Sequence, residues 1–327
     1  MTDHGIVVEG LTKRFKDVAV LDGVDFEVPR GSVFGLLGPN GAGKTTTVRI
    51  LATVLRPDAG RARVLGHDVV EAPDAVRRRM GLAGQFAAID PNLTGRENLR
   101  LVGRLAQLPR AELRRRADEL LERFELDEAA DRPARTYSGG MRRRLDIAAA
   151  LAHRPPVLFL DEPTTGLDLH SRNELWDMIR ELVQAGTTVL LTTQYLEEAD
   201  RLADRIAVVD GGRLIANDTP GRLKSQLGST VIEMGLADHA AAARAELLLT
   251  QRFDHRAERE RSTLRLSSDD GAGALIDVLR SLDAEALTPT TLAVREPSID
   301  DVFLALTGRR SESADAPEGA RTSRGAA

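Results

Sequence analysis

The sequence contains no cysteine, few lysines and no long hydrophobic run. The lack of cysteine excludes disulfides, iron–sulfur clusters and thiolate zinc sites, and it is typical of proteins in a reducing compartment. Apolar stretches such as Val157 to Leu160 are far shorter than the roughly 20 residues that cross a bilayer. Residues 1–10 show neither the basic nor the apolar segment of a signal peptide. We therefore expect a chain that is soluble on its own.

An excess of basic residues is also missing. The chain has 45 Lys and Arg against 50 Asp and Glu, which is a formal net charge of −5. Because domains that bind nucleic acids normally show a basic excess, this balance argues against a dedicated nucleic-acid binder. The arginine triplets at 77–79, 114–116 and 142–144 lie on predicted helices near acidic residues, and we interpret them as solvated helix faces. We expect no nucleic-acid partner.

One of the four lysines lies in the most informative segment of the chain, residues 38–45, which read GPNGAGKT. This pattern is typical of a phosphate-binding loop between a strand and a helix N-terminus, and both flanking elements are predicted here. Lys44 would reach the β- and γ-phosphates of a nucleotide, and Thr45 would hold Mg²⁺. An ordinary glycine-rich turn is the alternative. The predicted nucleotide-binding residues are Gly38, Pro39, Asn40, Gly41, Ala42, Gly43, Lys44, Thr45 and Thr46.

Two adjacent carboxylates, Asp161 and Glu162, follow the apolar run that ends at Leu160. A buried strand that ends in Asp is where nucleoside triphosphatases place a carboxylate associated with Mg²⁺, so Asp161 is predicted to be the metal-side partner of Thr45. Glu162 is then predicted to act as a general base or to orient the attacking water. A capped strand end would explain this segment alone about as well. The combination with the phosphate-binding loop favours the catalytic interpretation.

Hydrophobic patterning predicts an α/β fold with two units. Up to about residue 220, short runs of Leu and β-branched residues alternate with helical segments, which is typical of a parallel sheet with crossover helices. Apolar spacings of three and four predict a helical region over 92–126. Residues 221–308 carry the mixed strand and helix signals of a small α+β domain. The tail at 309–327, rich in Ser, Ala, Gly and charge, is expected to be disordered.

A third segment, residues 137–141, reads YSGGM and precedes a helix-like run. Serine at a helix start is usually an N-cap, and this interpretation of Ser138 stays open. The two glycines that follow, Gly139 and Gly140, would let the backbone approach a phosphate closely. With this segment in place, the order of motifs resembles an ATP-binding-cassette (ABC) ATPase subunit over residues 4 to about 220.

The resemblance implies a fold and a division into domains. Residues 1–220 would form a P-loop ABC-ATPase domain, with a mainly parallel sheet core, a β subdomain and a helical subdomain at about 86–150. Residues 221–308 would form an accessory C-terminal domain. The closing segment 297–308, PSIDDVFLALTG, is similar to the closing motif of the daunorubicin/doxorubicin-resistance branch of the family. An amphipathic helix with Val302, Phe303 and Leu306 packed on that second domain is a further interpretation, compatible with the first.

The resemblance also implies roles for residues outside the phosphate-binding loop. Phe15 would stack on adenine, with a position in the core of the β subdomain as the alternative. Gln85 would contact Mg²⁺ or the attacking water. Ser138 and the two glycines after it would complete the ATP site of a second chain, and Asp168 would communicate across the dimer.

Gln194 departs from the family pattern, because most members have a switch histidine at this position. Glutamine can donate an amide N–H to the γ-phosphate, but it cannot carry a proton or a positive charge. A role that needs only a hydrogen bond is therefore retained. The daunorubicin/doxorubicin-resistance branch also favours Gln here.

The function that the resemblance implies is that of the ATP-hydrolysing motor of an ABC-2-type exporter for drugs or antibiotics. ATP and Mg²⁺ would be its cofactors. Its partners would be a second copy of the chain and a separate multi-spanning permease. The protein would act at the cytoplasmic face of the cell membrane. A lipid or polysaccharide cargo is an alternative. So is an ATPase acting on ribosomes or nucleic acid, although such relatives typically carry two cassettes, coiled coils or Cys-rich zinc modules, none of which is present. A regulatory module without hydrolysis is disfavoured by Glu162.

Overall fold

The computed structural model describes residues 4–84, 89–228, 230–252, 257–268 and 271–308. Its strands are β1 (His4–Phe15), β2 (Val18–Pro29), β3 (Val33–Leu37), β4 (Ala59–Val64), β5 (His67–Asp68), β6 (Met80–Ala83), β7 (Val157–Asp161), β8 (Thr188–Thr193), β9 (Arg205–Asp210), β10 (Arg213–Asp218), β11 (Thr230–Gly235), β12 (Ala257–Glu260), β13 (Thr263–Ser268) and β14 (Thr291–Arg295). Its α-helices are α1 (Lys44–Leu51), α2 (Pro73–Arg77), α3 (Gly95–Leu105), α4 (Arg110–Arg123), α5 (Gly139–Ala150), α6 (Leu169–Gln184), α7 (Leu196–Leu202), α8 (Pro220–Ser225), α9 (His239–Arg252), α10 (Gly271–Ala284) and α11 (Ile299–Thr307). Within these ranges, no helix is both long and apolar enough to span a bilayer.

A six-stranded sheet in the order β10-β9-β3-β8-β7-β6 forms the centre of the first 220 residues. All neighbouring strands are parallel except β9 and β10, which form a hairpin. Strands β3, β7 and β8 are buried along their whole length, which explains why they read as continuous apolar runs. Their carboxyl ends lie at one edge of the sheet. The predicted phosphate-binding loop, the Asp161–Glu162 pair and Gln194 therefore converge there.

Two hydrophobic clusters lie on opposite faces of this sheet, and alternate residues of its parallel strands belong to one or the other. On one face, β1, β2, β4 and β5 form an antiparallel sheet in the order β2-β1-β4-β5, and the rings of Phe26 and Phe34 stack at a centroid distance of 5.0 Å. On the other face, helices α4 to α7 supply most of the packing side chains. The α/β fold class predicted from the sequence is confirmed.

The helical region predicted over 92–126 is divided into α3 and α4. Thr94 begins α3 with a capping box to Glu97. The chain then turns, with Gln107 in the left-handed region at φ 62, and Pro109 precedes α4 as its N-cap residue. Because proline lacks the N–H that would continue α3, the helix is interrupted here. The apolar periodicity nevertheless continues across the interruption. The apolar stripe of α4 is buried, as its spacing predicted.

The C-terminal residues form a third sheet, which is antiparallel and has the order β12-β13-β11-β14. The chain order is βαββαβ, the split βαβ arrangement, and it is the α+β pattern expected for this region. Helices α9 and α10 cover one face and share a separate hydrophobic cluster with Ile232, Met234, Leu264 and Leu266. The opposite face carries charged residues.

Helix α11 does not pack as the sequence predicted. Ile299, Val302 and Phe303 are buried in the hydrophobic cluster formed mainly by α4 to α7, and the helix contacts α7 and α8, whereas Leu306 is 39% exposed. The expectation that Val302, Phe303 and Leu306 pack on the second domain is wrong for this reason. Amphipathic spacing shows that one face of a helix is buried, but it does not identify the partner.

Candidate functional site

The loop between β3 and α1 needs glycine at two positions because other chain segments approach it closely. A Cβ on Gly38 would lie 2.2 Å from the carbonyl oxygen of Val209. Gly43 has φ 103, and a Cβ there would lie 2.7 Å from the Val20 carbonyl oxygen. Helix α1 begins directly after Gly43, without a side-chain cap. The N–H groups of its first turn are therefore available to an anion.

The Lys44 side chain is folded back along this loop. It is 4% exposed, and its Nζ donates to the carbonyl oxygens of Gly38 at 2.7 Å and Pro39 at 3.1 Å. The same nitrogen lies 3.8 Å from Oε1 of Glu162. Burial lowers the pKa of Lys44, while the charges of Glu162 and Asp161 oppose this decrease. The loop thus holds a buried cation that faces two carboxylates.

Asp161, the last residue of β7, is almost completely buried. Its Oδ1 accepts hydrogen bonds from the hydroxyls of Thr45, at 3.0 Å, and Thr192, at 2.6 Å. Thr45 belongs to α1 and Thr192 to β8, so the carboxylate ties three elements together at the edge of the sheet. The structure therefore brings the predicted pair Thr45 and Asp161 into contact.

Glu162 leaves the strand in a left-handed conformation, with φ 49, which is uncommon for residues other than glycine. Its N–H is held by Thr192, at 3.0 Å from Oγ1 and 3.1 Å from the carbonyl oxygen. The carboxylate accepts from Thr165 Oγ1 at 3.3 Å and faces Lys44. This turn directs the Glu162 carboxylate towards Lys44 of the loop between β3 and α1.

Arg143 on α5 is a further residue of this region that the sequence analysis missed. Its guanidinium donates to the carbonyl oxygens of Pro163 at 2.8 Å, Gly84 at 3.0 Å and Asp161 at 3.1 Å, and it forms an ion pair with Asp146 at 3.1 Å. Burial lowers the pKa of Arg143, and the Asp146 charge opposes this decrease. Arg143 fixes the backbone on both sides of Glu162.

The interpretation of the arginine triplets as solvated faces is wrong at two positions. Arg143 is largely buried, and so is Arg116, which donates to the carbonyl oxygens of Leu151 at 2.8 Å and Ala152 at 3.1 Å at the end of α5. Acidic neighbours in the sequence suggested surface pairs. A carbonyl partner leaves no signal in the sequence, because every residue carries one.

A second cluster forms where α5 and α6 begin. Ser138 is the N-cap of α5 and accepts the Met141 N–H at 3.2 Å, so the N-cap interpretation is confirmed. Asp168 is the N-cap of α6, and its carboxylate accepts the N–H of Ser171 at 2.9 Å. A Cβ on Gly140 would lie 3.0 Å from Ser171 Oγ, so the two helix starts are neighbours.

Three other predicted site residues have separate positions. Phe15 is 46% exposed at the end of β1, with Lys13 Nζ 5.6 Å from its ring centroid, so the alternative of a core position is wrong. Gln194 is half-buried in the turn between β8 and α7. Gln85 lies outside the described residues, just beyond the end of β6.

Comparisons with known proteins agree with this arrangement. A family model described as ABC transporter matches residues 21–165. The daunorubicin/doxorubicin resistance ATP-binding protein DrrA of Streptomyces peucetius is 52% identical over 322 residues, covering 97% of this chain and 96% of that protein. The Nod factor export ATP-binding protein I of Ralstonia nicotianae is 42% identical over 303 residues, covering 92% of this chain and 93% of that protein.

Among solved structures, a dimeric post-hydrolysis state of the ATP-binding cassette MJ0796, bound to ADP and Pi, matches with a TM-score of 0.60 and 26% identity. The match covers 65% of this chain and 98% of that one. The chain therefore belongs to the ATP-binding subunits of ABC transporters, and within them to the daunorubicin/doxorubicin-resistance type.

Proposed function

We propose that this protein hydrolyses ATP at the loop of residues 38–46 and uses the energy to drive export of a drug through a separate ABC-2-type permease. The observation that carries the proposal is the convergence of Lys44, Thr45, Asp161 and Glu162 at one edge of the parallel sheet. These side chains come from segments more than a hundred residues apart. Their contact supports a single phosphate-transfer site.

The phosphates bind against the N–H groups of the loop and the first turn of α1, and Lys44 neutralises their charge. The Lys44 ammonium is already directed by the carbonyl oxygens of Gly38 and Pro39, so little side-chain freedom is lost when ATP binds. The exposed ring of Phe15 stacks on the adenine.

Thr45 and Asp161 provide oxygen donors 3.0 Å apart, which suits the preference of Mg²⁺ for hard oxygen ligands. Gln85 is the proposed third residue of this set. When bound, Mg²⁺ neutralises charge on the β- and γ-phosphates during transfer. Thr192 keeps the Asp161 carboxylate oriented.

Glu162 accepts a proton from the attacking water or orients it, and Gln194 donates an amide N–H to the γ-phosphate. The turn at Glu162 is held by Thr192 and Arg143, so the carboxylate is positioned before substrate arrives. Preorganised groups of this kind lower the barrier without reorganising during the reaction.

The subunit acts as a head-to-tail homodimer, in which Ser138, Gly139 and Gly140 complete the site of the second copy and Asp168 relays its state. A Cβ on Gly139 would meet no described atom within 4 Å, so the start of α5 is open to a partner. A two-fold dimer makes both sites equivalent. The dimer works at the cytoplasmic face of the membrane, where it contacts the permease.

Drug export is the first candidate because the DrrA relative, named for daunorubicin/doxorubicin resistance, is 52% identical over nearly the whole chain. The relative named for Nod factor export is 42% identical, so a lipid or polysaccharide cargo is the second candidate. Cargo is tested by ATP-dependent uptake of daunorubicin into inverted membrane vesicles that contain the subunit and its permease.

The ATPase is tested by the Glu162→Gln variant. We expect turnover to fall by about 10²- to 10⁴-fold while ATP binding persists, because only proton transfer is impaired. Glu122→Gln, an exposed change on α4, is the matched control and should behave as wild type. Normal turnover in Glu162→Gln would overturn the assigned base.

The Glu162→Gln chain also tests the partner. Purified from host membranes in Mg-ATP, it should retain a stoichiometric multi-spanning membrane protein, identified by mass spectrometry. Ribosomal proteins or nucleic acid in its place would refute the exporter function.

A further inference from the structure

Helices α6 and α7 are joined by two contacts between an arginine and an aromatic ring. The guanidinium carbon of Arg172 lies 5.2 Å from the centroid of the Tyr195 ring, and that of Arg201 lies 4.9 Å from the centroid of the Trp176 ring. Both distances are within the range of a cation–π interaction. Tyr195 directly follows Gln194 and is the N-cap residue of α7. The mechanism above uses Gln194 but not the contact beside it.

The turn that carries Gln194 is fixed on one side by the central sheet. Thr193, the last residue of β8, pairs with Leu37 of β3, and its carbonyl oxygen accepts the N–H of Gly38 at 3.4 Å. Thr193 Oγ1 also accepts the N–H of Tyr195 at 2.9 Å, which closes the turn around Gln194. On its other side, the turn continues into Tyr195, whose half-buried ring contacts α6.

Arg172 connects this turn to the start of α6. Its N–H donates to the carbonyl oxygen of Asp168 at 3.0 Å, in the first turn of the helix that Asp168 caps. The Nε atom of Arg172 is buried and has no hydrogen-bond partner among the described residues. A hydrogen bond at Nε therefore does not fix the guanidinium, which leaves the contact with the Tyr195 ring to hold it. One residue thus contacts both Asp168 and the neighbour of Gln194.

We propose that Arg172 is a positioning residue for ATP hydrolysis, which holds Gln194 in a fixed relation to the Asp168 end of α6 through the Tyr195 ring. The proposal rests on the ATPase function proposed above. Gln194 has no charge, so its action on the γ-phosphate is a hydrogen bond, and a hydrogen bond weakens steeply when its donor is turned away. A displacement of Tyr195 would turn the amide of its neighbour in this way.

The kinetic test removes each side of the contact. Arg172→Met removes the cation and keeps most of the aliphatic side chain. We expect kcat to fall by about 3- to 10-fold, the size that the loss of one cation–π contact implies, while KM for ATP changes little because the loop of residues 38–46 is intact. Tyr195→Leu should have the same effect, and Tyr195→Phe, which retains the ring, should keep most of kcat.

Arg201→Met is the matched control. It removes the other cation–π contact between the same two helices, at the end of α7 that lies away from Gln194. Its kcat should equal that of wild type, because the turn that carries Gln194 is unaffected.

A second background tests whether Arg172 acts through Gln194. The Gln194→Ala protein lacks the amide, so Arg172→Met should cause no further decrease in its kcat, measured with radiolabelled ATP. A structural role is the alternative: burial raises the pKa of the Glu198 carboxyl, and the charge of Arg172 is among the influences that oppose this rise. A role limited to this compensation would give the same decrease with and without the Gln194 amide.

A spectroscopic readout does not require turnover. The chain has two tyrosines, Tyr137 and Tyr195, so fluorinated tyrosine gives two fluorine NMR resonances, and Tyr195→Phe identifies the one from Tyr195. A non-hydrolysable ATP analogue should shift this resonance in wild type and in Arg201→Met, because the γ-phosphate engages Gln194 next to the ring. The shift should be much smaller in Arg172→Met, where the ring is no longer held.

The outcomes separate the inference from the proposed function. If wild type hydrolyses ATP but folded Arg172→Met retains its kcat, or loses the same factor in the Gln194→Ala background, the inference is overturned and the proposed function stands. A shift of the Tyr195 resonance that is equal in Arg172→Met and wild type overturns the inference as well. If wild type neither binds nor hydrolyses ATP, the proposed function fails, and the inference that rests on it fails with it.

Discussion

The central parallel sheet and the C-terminal antiparallel sheet place their polar residues in different ways. In the central sheet, the side chains of β3, β7 and β8 are buried, and the polar residues with catalytic potential lie in the short segments at the carboxyl ends. In the C-terminal sheet, charged residues lie on one face along the strands, where Arg265 contacts Glu233 at 3.0 Å and Arg295 contacts it at 3.6 Å. Only the first arrangement concentrates charge at one point.

The C-terminal sheet is connected to the helices that cover the central sheet through helix α11. Arg295, the last residue of β14, contacts Asp301 with one nitrogen at 2.6 Å and the other at 2.9 Å, and α11 then packs into the core of the cassette. This core includes α7, which follows Gln194. The central sheet therefore carries the candidate site, and the C-terminal sheet is linked by an ion pair to a helix that packs against α7 and α8.

The largest expected effect is at the phosphate-binding loop. Lys44→Ala should abolish measurable ATP binding, because it removes the buried cation that we propose neutralises the phosphates. Arg265→Ala, which removes a cation from the C-terminal sheet, should leave ATP binding unchanged. Titration with a fluorescent ATP analogue measures both. Equal losses in the two variants would mean that the sheets do not divide their roles as described.

The next effect concerns the packing of α11. Phe303→Ala should lower the free energy of unfolding of the cassette by about 3–5 kcal/mol, because the ring is buried in its core. Leu306→Ala, on the same helix but 39% exposed, should cost much less. Urea denaturation of both variants makes the comparison. A larger loss of unfolding free energy for Leu306→Ala would mean that the Leu306 face of α11, and not the Phe303 face, packs into the core.

Asp301 should make the stability of this connection depend on pH. Burial would raise the pKa of the carboxyl group, but hydrogen bonds from Arg295 and Ser298 lower it from 3.8 to about 2. Because this pKa is lower in the folded state, Asp301 stabilises the fold by about 2 kcal/mol at pH values above the pKa of the unfolded chain. This contribution disappears as the pH falls from about 4 towards 2.

The measurement is the free energy of unfolding of wild type and Asp301→Asn between pH 7 and pH 3. The difference between them should be constant at neutral pH and should narrow below about pH 4. Asp300→Asn, in the same helical turn, is the control. A difference that does not change with pH would show that the charge of Asp301 is unimportant.

The smallest effect is expected at Phe15. Phe15→Ala should raise KM for ATP by about 2- to 10-fold without changing kcat, because stacking binds the ground state and the transition state equally. Val18→Ala, a similarly exposed change in the adjacent strand, is the control. Steady-state ATPase kinetics provide the measurement. A decrease in kcat instead would argue against stacking on adenine.

The sequence by itself determined the fold class and the position of the loop, residues 38–46, that we propose binds phosphate. Apolar runs followed by GPNGAGKT and by Asp161–Glu162 are local patterns, and local patterns are sufficient because parallel strands bring their carboxyl ends to one edge. The contact between Thr45 and Asp161, 116 residues apart, could be expected on that basis.

Only the tertiary structure decided the partners of Arg143 and α11 and the burial of Glu198. Arg143 bonds to backbone carbonyl groups, which no sequence pattern distinguishes, and it was therefore interpreted as part of a solvated face. Glu198 on α7 lies in a run of acidic residues, but it is fully buried against α6, where it accepts the indole N–H of Trp176 at 3.1 Å. For α11, the spacing of apolar residues defined the buried face, but the identity of the surface that covers it depends on the path of the whole chain.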